Sequence, residues 1–231
     1  MLSELGLLRL LTWLSPAFPV GGYTYSHGLE YAVEAGIVRT ADDLVEWLGT
    51  VVEHGAGRVD ATLLCAAWRA AQADSRADLA ETAEWAAALR GTAETALESA
   101  AQGRAFLDTV RRVWRDPWLD SWVADAARDG GTEPAYAVAV GVVAARAGVP
   151  LRPTAAAFLH SLAANLVSAA VRLVPLGQTD GQGALAALEP AILAATEAAP
   201  DRPLAAVGSA IPVVEWASMR HETQYTRLFR S

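Results

Sequence analysis

The chain has 231 residues, 53% of them hydrophobic and 19% charged, with a formal net charge of −8. That composition excludes intrinsic disorder, and the acidic balance argues against a nucleic-acid-binding face. All basic residues other than the four His are Arg, and Cys65 is the lone cysteine. Without Lys there is no P-loop, no kinase-type lysine and no Schiff base. With one Cys there is no internal disulfide and no thiolate-rich metal site. The start, MLSELGLLRLLTWLSPA, is apolar, but Glu4 precedes the run and Arg9 interrupts it, so it reads as an amphipathic first helix and not as a signal peptide. Pro16-Ala-Phe-Pro-Val-Gly-Gly22 breaks that helix. A second is expected over Tyr25–Ala35 with Gly36 just past its end. Thr40 and Asp43 have capping-box spacing ahead of Leu44, Leu48, Val51 and Val52. Further helices are expected over Ala61–Ala73, Leu79–Leu89 and Thr92–Trp114; Asp116-Pro117-Trp118 then punctuates the chain, and a short helix follows to Arg128, with Gly130-Gly131 breaking it. Another runs from Pro134 to Gly148.

The stretch 154–174 is long enough for a membrane span, but His160, Asn165 and Arg172 make a buried core helix the expectation. Gly177–Gln182 reads as a turn. Two last helical segments, near 183–198 and 202–217, contain Pro190 and Pro212, which kink or split them. No alternating apolar pattern indicates a sheet. The expectation is an all-α fold: a single compact domain of roughly ten helices over 1–217, with a C-terminal partner-binding tail at 218–231. The tail, SMRHETQYTRLFRS, sets Arg220, Arg227 and Arg230 against Glu222 on an acidic body. It also carries Tyr225, Leu228 and Phe229, and it reads as a segment that stays loose until a partner orders it.

Catalytic signatures fail one by one. His221-Glu222 opens like an HExxH zinc helix, but Tyr225 stands where the second His belongs. His27 and Glu30 have the spacing to share a helix face, which makes a pair and not a site. His54 and His160 stand alone and read as hydrogen-bonded structural residues. Cys65 lies in Leu-Leu-Cys-Ala-Ala and reads as a small hydrophobe. There is no Gly-x-Ser-x-Gly elbow and no GxGxxG fingerprint. Ser161, Asn165, Ser168 and Arg172 form one polar stripe at helical spacing, which suits a solvent face, a tight helix contact or a subunit seam. Phe18, Val20, Tyr23 and Tyr25 crowd the Pro/Gly-rich loop, a composition that suits a binding surface or a loop folded over the core.

Three segments together resemble one family. SPAFPVGGYTYSHGLEYAVEAGIV at 15–38, NLVSAAVRLVPLGQTDGQ at 165–182 and MRHETQYTRLFRS at 219–231 are similar, in order and spacing, to the signatures of the urease accessory protein F (UreF) family. The resemblance implies an all-α, dimeric, cytoplasmic chaperone without catalysis, cofactor or resident metal. Such a protein bridges UreD (also called UreH) and the GTPase UreG while nickel is inserted into apo-urease. It implies partner roles for Tyr23 and Arg227, and places Glu30 in the same N-terminal motif. His27, Arg220, His221, Glu222, Tyr225, Leu228 and Phe229 complete the expected partner-binding set. The family pattern often has His where this chain has Tyr136. Two other readings stay open: a metal-dependent helical enzyme using His27, Glu30 and His221, and a regulator of UreG GTP hydrolysis.

Overall fold

Capping side chains decide where several of the helices begin. In the computed structural model, which describes residues 1–128 and 132–230, Ser3 Oγ accepts the Gly6 amide and opens α1 (Glu4–Trp13). α2 (Leu29–Glu34) is shorter than expected. His27 and Gly28 both take left-handed backbone, φ 52° and 75°, and keep the preceding residues out of the helix. Thr40 and Asp43 form the expected capping box of α3 (Ala41–His54). α4 (Ala56–Gln72) follows directly on Gly55, earlier than expected. Ser75 caps α5 (Arg76–Ala88) and Thr92 caps α6 (Ala93–Val113). α7 is Pro117–Arg128, and the Gly130-Gly131 break expected after it lies outside the described residues.

α8 (Tyr136–Arg146) and α9 (Leu151–Leu173) match their expected places. The expected turn at Gly177–Gln182 is instead the opening of α10 (Gln178–Ala187). The Asp180 carboxylate accepts the Gly177 N–H at 2.9 Å and caps the helix from within. Pro190 marks the split between α10 and α11 (Glu189–Ala198). Pro212 is the first residue of α12 (Pro212–His221), so little of 202–211 is helical beyond one 3₁₀ turn at Leu204–Ala206. The division expected between residues 217 and 218 falls inside α12. Among the described residues there are twelve α-helices and no strands, an all-α fold.

α8 is the centre. Ala137–Ala145 are buried without interruption, and α8 packs most extensively along α4, with α6 and α9 beside it. Small residues allow that approach: a Cβ on Gly141 would stand 2.5 Å from the Leu64 carbonyl oxygen. Trp13, Phe18, Phe106 and Trp114 interlock by edge and face contacts and pin α1 and the following loop to α6. α9 is long and apolar enough to cross a membrane, yet 50% of its most apolar window is buried inside the fold. Its polar stripe receives the 14–24 loop. Ser161 Oγ donates to the Leu14 carbonyl at 3.0 Å, and Arg172 Nη2 donates to the Tyr23 carbonyl at 2.8 Å.

Candidate functional site

α6 presents Glu94, Glu98 and Gln102 at successive helical turns, and this stripe organises two neighbouring sites. In the first, the His27 Nε2 hydrogen donates to Glu98 Oε1 at 3.0 Å, and Gln102 Nε2 donates to the same oxygen at 2.9 Å. His27 and Glu98 line a cavity of about 120 Å³ with Asp60, Arg90, Tyr136 and Asn165. Arg90 and Asp60 are themselves ion-paired at 2.6 Å with little exposure. Burial opposes a charge on His27, but the carboxylate of Glu98, its hydrogen bond and the more distant Asp60 outweigh that effect and Arg90's repulsion. The His27 pKa is raised. Burial pushes the Tyr136 hydroxyl well above its usual range and the Cys65 thiol up to about 11, so Cys65 is an inert hydrophobe, as expected.

The second site joins α2, α6, α12 and the tail. Glu30, near the start of α2, is 7% exposed, and His221, the last residue of α12, is 0% exposed. His221 Nε2 lies 3.1 Å from Glu30 Oε2, and its Nδ1 lies 2.8 Å from Glu94 Oε2. The tail closes over them. Leu228 and Phe229 donate their backbone N–H groups to Glu30, Arg227 Nη1 donates to Glu94 Oε1 at 2.5 Å, and the Arg230 N–H donates to the Thr24 carbonyl at 2.7 Å. Phe229 is buried, with the Arg172 guanidinium 4.4 Å above its ring. Gly28 makes the closeness possible, since a Cβ there would stand 2.6 Å from the Ser218 amide nitrogen. Described residues of the tail expected to be loose are therefore seated on the body, because two carboxylates receive them. Ser231 lies outside the described residues.

The expected site residues sort into three groups. Tyr23 (62% exposed), on the loop, and Tyr225 (104%) and Leu228 (62%), on the tail, face solvent. Glu30, His221, Arg227 and the Leu228 and Phe229 amides form the internal clasp. The others work elsewhere: His27 lines the cavity and is not paired with Glu30, Arg220 lies over the Tyr31 ring, and Glu222 Oε1 accepts the Ala93 N–H at the start of α6. His54 and His160, expected to be hydrogen-bonded structural residues, are exposed. The metal-enzyme arrangement does not assemble. His221 has both ring nitrogens on carboxylates and His27 is on Glu98. Among the described residues no group of three or more His, Cys, Asp or Glu side chains is placed to hold a metal ion. Glu94, Glu98 and Arg172 were not singled out for this role by sequence. The only local sign was the α6 spacing and the polar stripe on α9.

The UreF family model matches residues 38–189. A urease accessory protein UreF from Rhodopseudomonas palustris (strain TIE-1) is 52% identical over 225 residues, 97% of this chain and 92% of the relative. One from Granulibacter bethesdensis is 51% identical over 229 residues, covering 99% and 95%. One from Magnetococcus marinus is 46% identical over 236 residues, covering 100% of both. These matches span nearly the whole chain and so extend beyond the family-model region, and the chain belongs to the UreF family of urease accessory proteins.

Proposed function

We propose that this protein is a cytoplasmic, homodimeric chaperone that joins UreD (UreH) and the GTPase UreG for nickel insertion into apo-urease and performs no chemistry itself. The observation that carries the reading is the joint surface of loop and tail. Tyr23 on the loop and Leu228 on the tail are both exposed, and the two segments are joined where the Arg230 N–H donates to the Thr24 carbonyl, with the Leu228 amide held by the buried Glu30. Exposed aromatic and aliphatic side chains on a rigid support are what a protein partner buries at the centre of an interface. The charged clusters below are satisfied internally, which suits support of a surface better than turnover.

The test is co-purification. Tagged full-length chain should retain UreD, and with UreD present should retain UreG. The isolated chain should show no nucleotide hydrolysis and no stoichiometric nickel or zinc after chelator washing. Failure to retain UreD, or one tightly held metal ion per chain, would overturn the reading.

A further inference from the structure

One carboxylate carries the tail. The Leu228 N–H donates to Glu30 Oε1 at 2.7 Å and the Phe229 N–H to Glu30 Oε2 at 3.0 Å. A carboxylate can accept consecutive amides on separate oxygens, whereas a side-chain amide offers one oxygen only. His221 explains how that carboxylate is tolerated in a buried place. Its ring has Glu30 on one side and Glu94 on the other. Both ring nitrogens are thereby engaged, one by each carboxylate. Arg227 then takes the free oxygen of Glu94. Glu30, Glu94, His221 and Arg227 are thus each hydrogen-bonded within the cluster. That is the condition under which buried charge is tolerated, and loss of one member leaves its partner unmatched.

We propose that Glu30 and His221 are positioning residues. They touch no partner, and act by holding the backbone of residues 227–230 so that Leu228 is presented beside the Tyr23 loop. The geometry supports presentation. Phe229 points inward and is 3% exposed, while its neighbour Leu228 points out. The next amide, Arg230, donates to Thr24, the residue after Tyr23. The loop is held from its other side by Arg172, which bonds the Tyr23 carbonyl and covers Phe229. Release at Glu30 would therefore free the tail and leave the loop in place. This inference rests on the reading that loop and tail together dock a partner.

The experiment uses the full-length chain and hydrogen exchange followed by mass spectrometry. Glu30→Gln keeps the side-chain size and removes one acceptor oxygen. Amides in peptides spanning 225–230 should exchange at least tenfold faster while peptides from α8 are unchanged, and retention of UreD should fall at least tenfold. His221→Gln should do the same. Adding Phe229→Ala to Glu30→Gln should lower UreD retention no further than either change alone, since both act through the same segment. If the variants do not fold, hydrogen exchange of the wild-type chain decides: Leu228 and Phe229 amides that exchange at least tenfold slower than an unstructured segment support the clasp, and exchange at the unstructured rate overturns it. Unchanged tail exchange in folded Glu30→Gln overturns the positioning role outright. Faster tail exchange with undiminished UreD retention leaves the clasp standing and overturns the docking role given to the tail.

Discussion

His27 projects into the cavity from a left-handed backbone, φ 52°, a conformation that costs a non-glycine residue about 1–3 kcal/mol and persists only when the surroundings hold it. Glu98 is what holds it, at 3.0 Å. Because the folded pKa of His27 is raised, the native chain keeps this proton to higher pH than the unfolded chain. Its stabilisation is complete below the ordinary histidine value of about 6.5 and is lost as pH rises through the raised value. Melting temperature should therefore fall as pH rises above the ordinary histidine value of about 6.5, and Glu98→Gln should flatten that fall. Equal slopes in calorimetry for the variant and the parent would remove His27 from the account. Arg227 makes a different prediction. Its side chain is 39% exposed, so its bond to Glu94 is screened and contributes little to folding, while Glu94 keeps its hydrogen bond to His221. Arg227→Ala should leave the melting temperature within a few degrees and weaken UreD binding by roughly 2–4 kcal/mol, the range of buried hot-spot truncations. Pull-down titration checks this. Retention of UreD at the parental level, or a drop of many degrees in melting, contradicts it.

Helix–helix contacts turn on which glycines are spaces and which are gaps. On Gly141 a methyl group would press within 2.5 Å of a backbone carbonyl of α4, so α4 and α8 would have to separate. Gly141→Ala should cost about 1–3 kcal/mol or more, against roughly 1 kcal/mol regained in helix propensity. Gly183, on exposed α10, has nothing within 4 Å, so Gly183→Ala should stabilise by up to about 1 kcal/mol. Chemical denaturation of the two variants tests the pair, and the same sign for both would refute the packing argument. Elements with local causes were legible in sequence. Thr40 and Asp43 start α3 where their spacing says, and Gly36 ends α2 with φ 70°. Elements with distant causes were not. Nothing near His27 announces its left-handed backbone, because the group that fixes its ring is Glu98, on α6. The Gly177–Gln182 segment has turn composition, yet Asp180 converts it into a helix start. The tail shows the same limit most plainly. Its Arg227 and its Leu228 and Phe229 amides look unpartnered in sequence, since the receiving Glu94 and Glu30 lie far back in the chain, on α6 and α2, and only the folded packing brings them close.

At the scale of the molecule, the interior is well provided for and the surface carries an apolar excess. α1 exposes Leu5, Leu7, Leu8 and Leu11, and α12 exposes Val213, Trp216 and Met219. Both stripes follow helical spacing, so each is a continuous strip and not scattered single residues. Contiguous exposed apolar area of this kind marks association surfaces in proteins that remain in solution. Each strip faces away from the core that α4 and α8 define, and the described tail is already committed to the clasp with Glu30. A net charge of −8 would oppose self-association at long range, but at about 0.15 M salt that repulsion is screened beyond about 8 Å, while the apolar term is not weakened. Association should therefore strengthen as salt is raised from low to physiological concentration. Multi-angle light scattering at micromolar protein should report a mass near twice the 24.3 kDa of one chain, and the dimer fraction should rise with salt. A mass of one chain at every salt concentration, with and without UreD, would show that the strips are not covered by a second copy and would remove the homodimer from the proposed assembly.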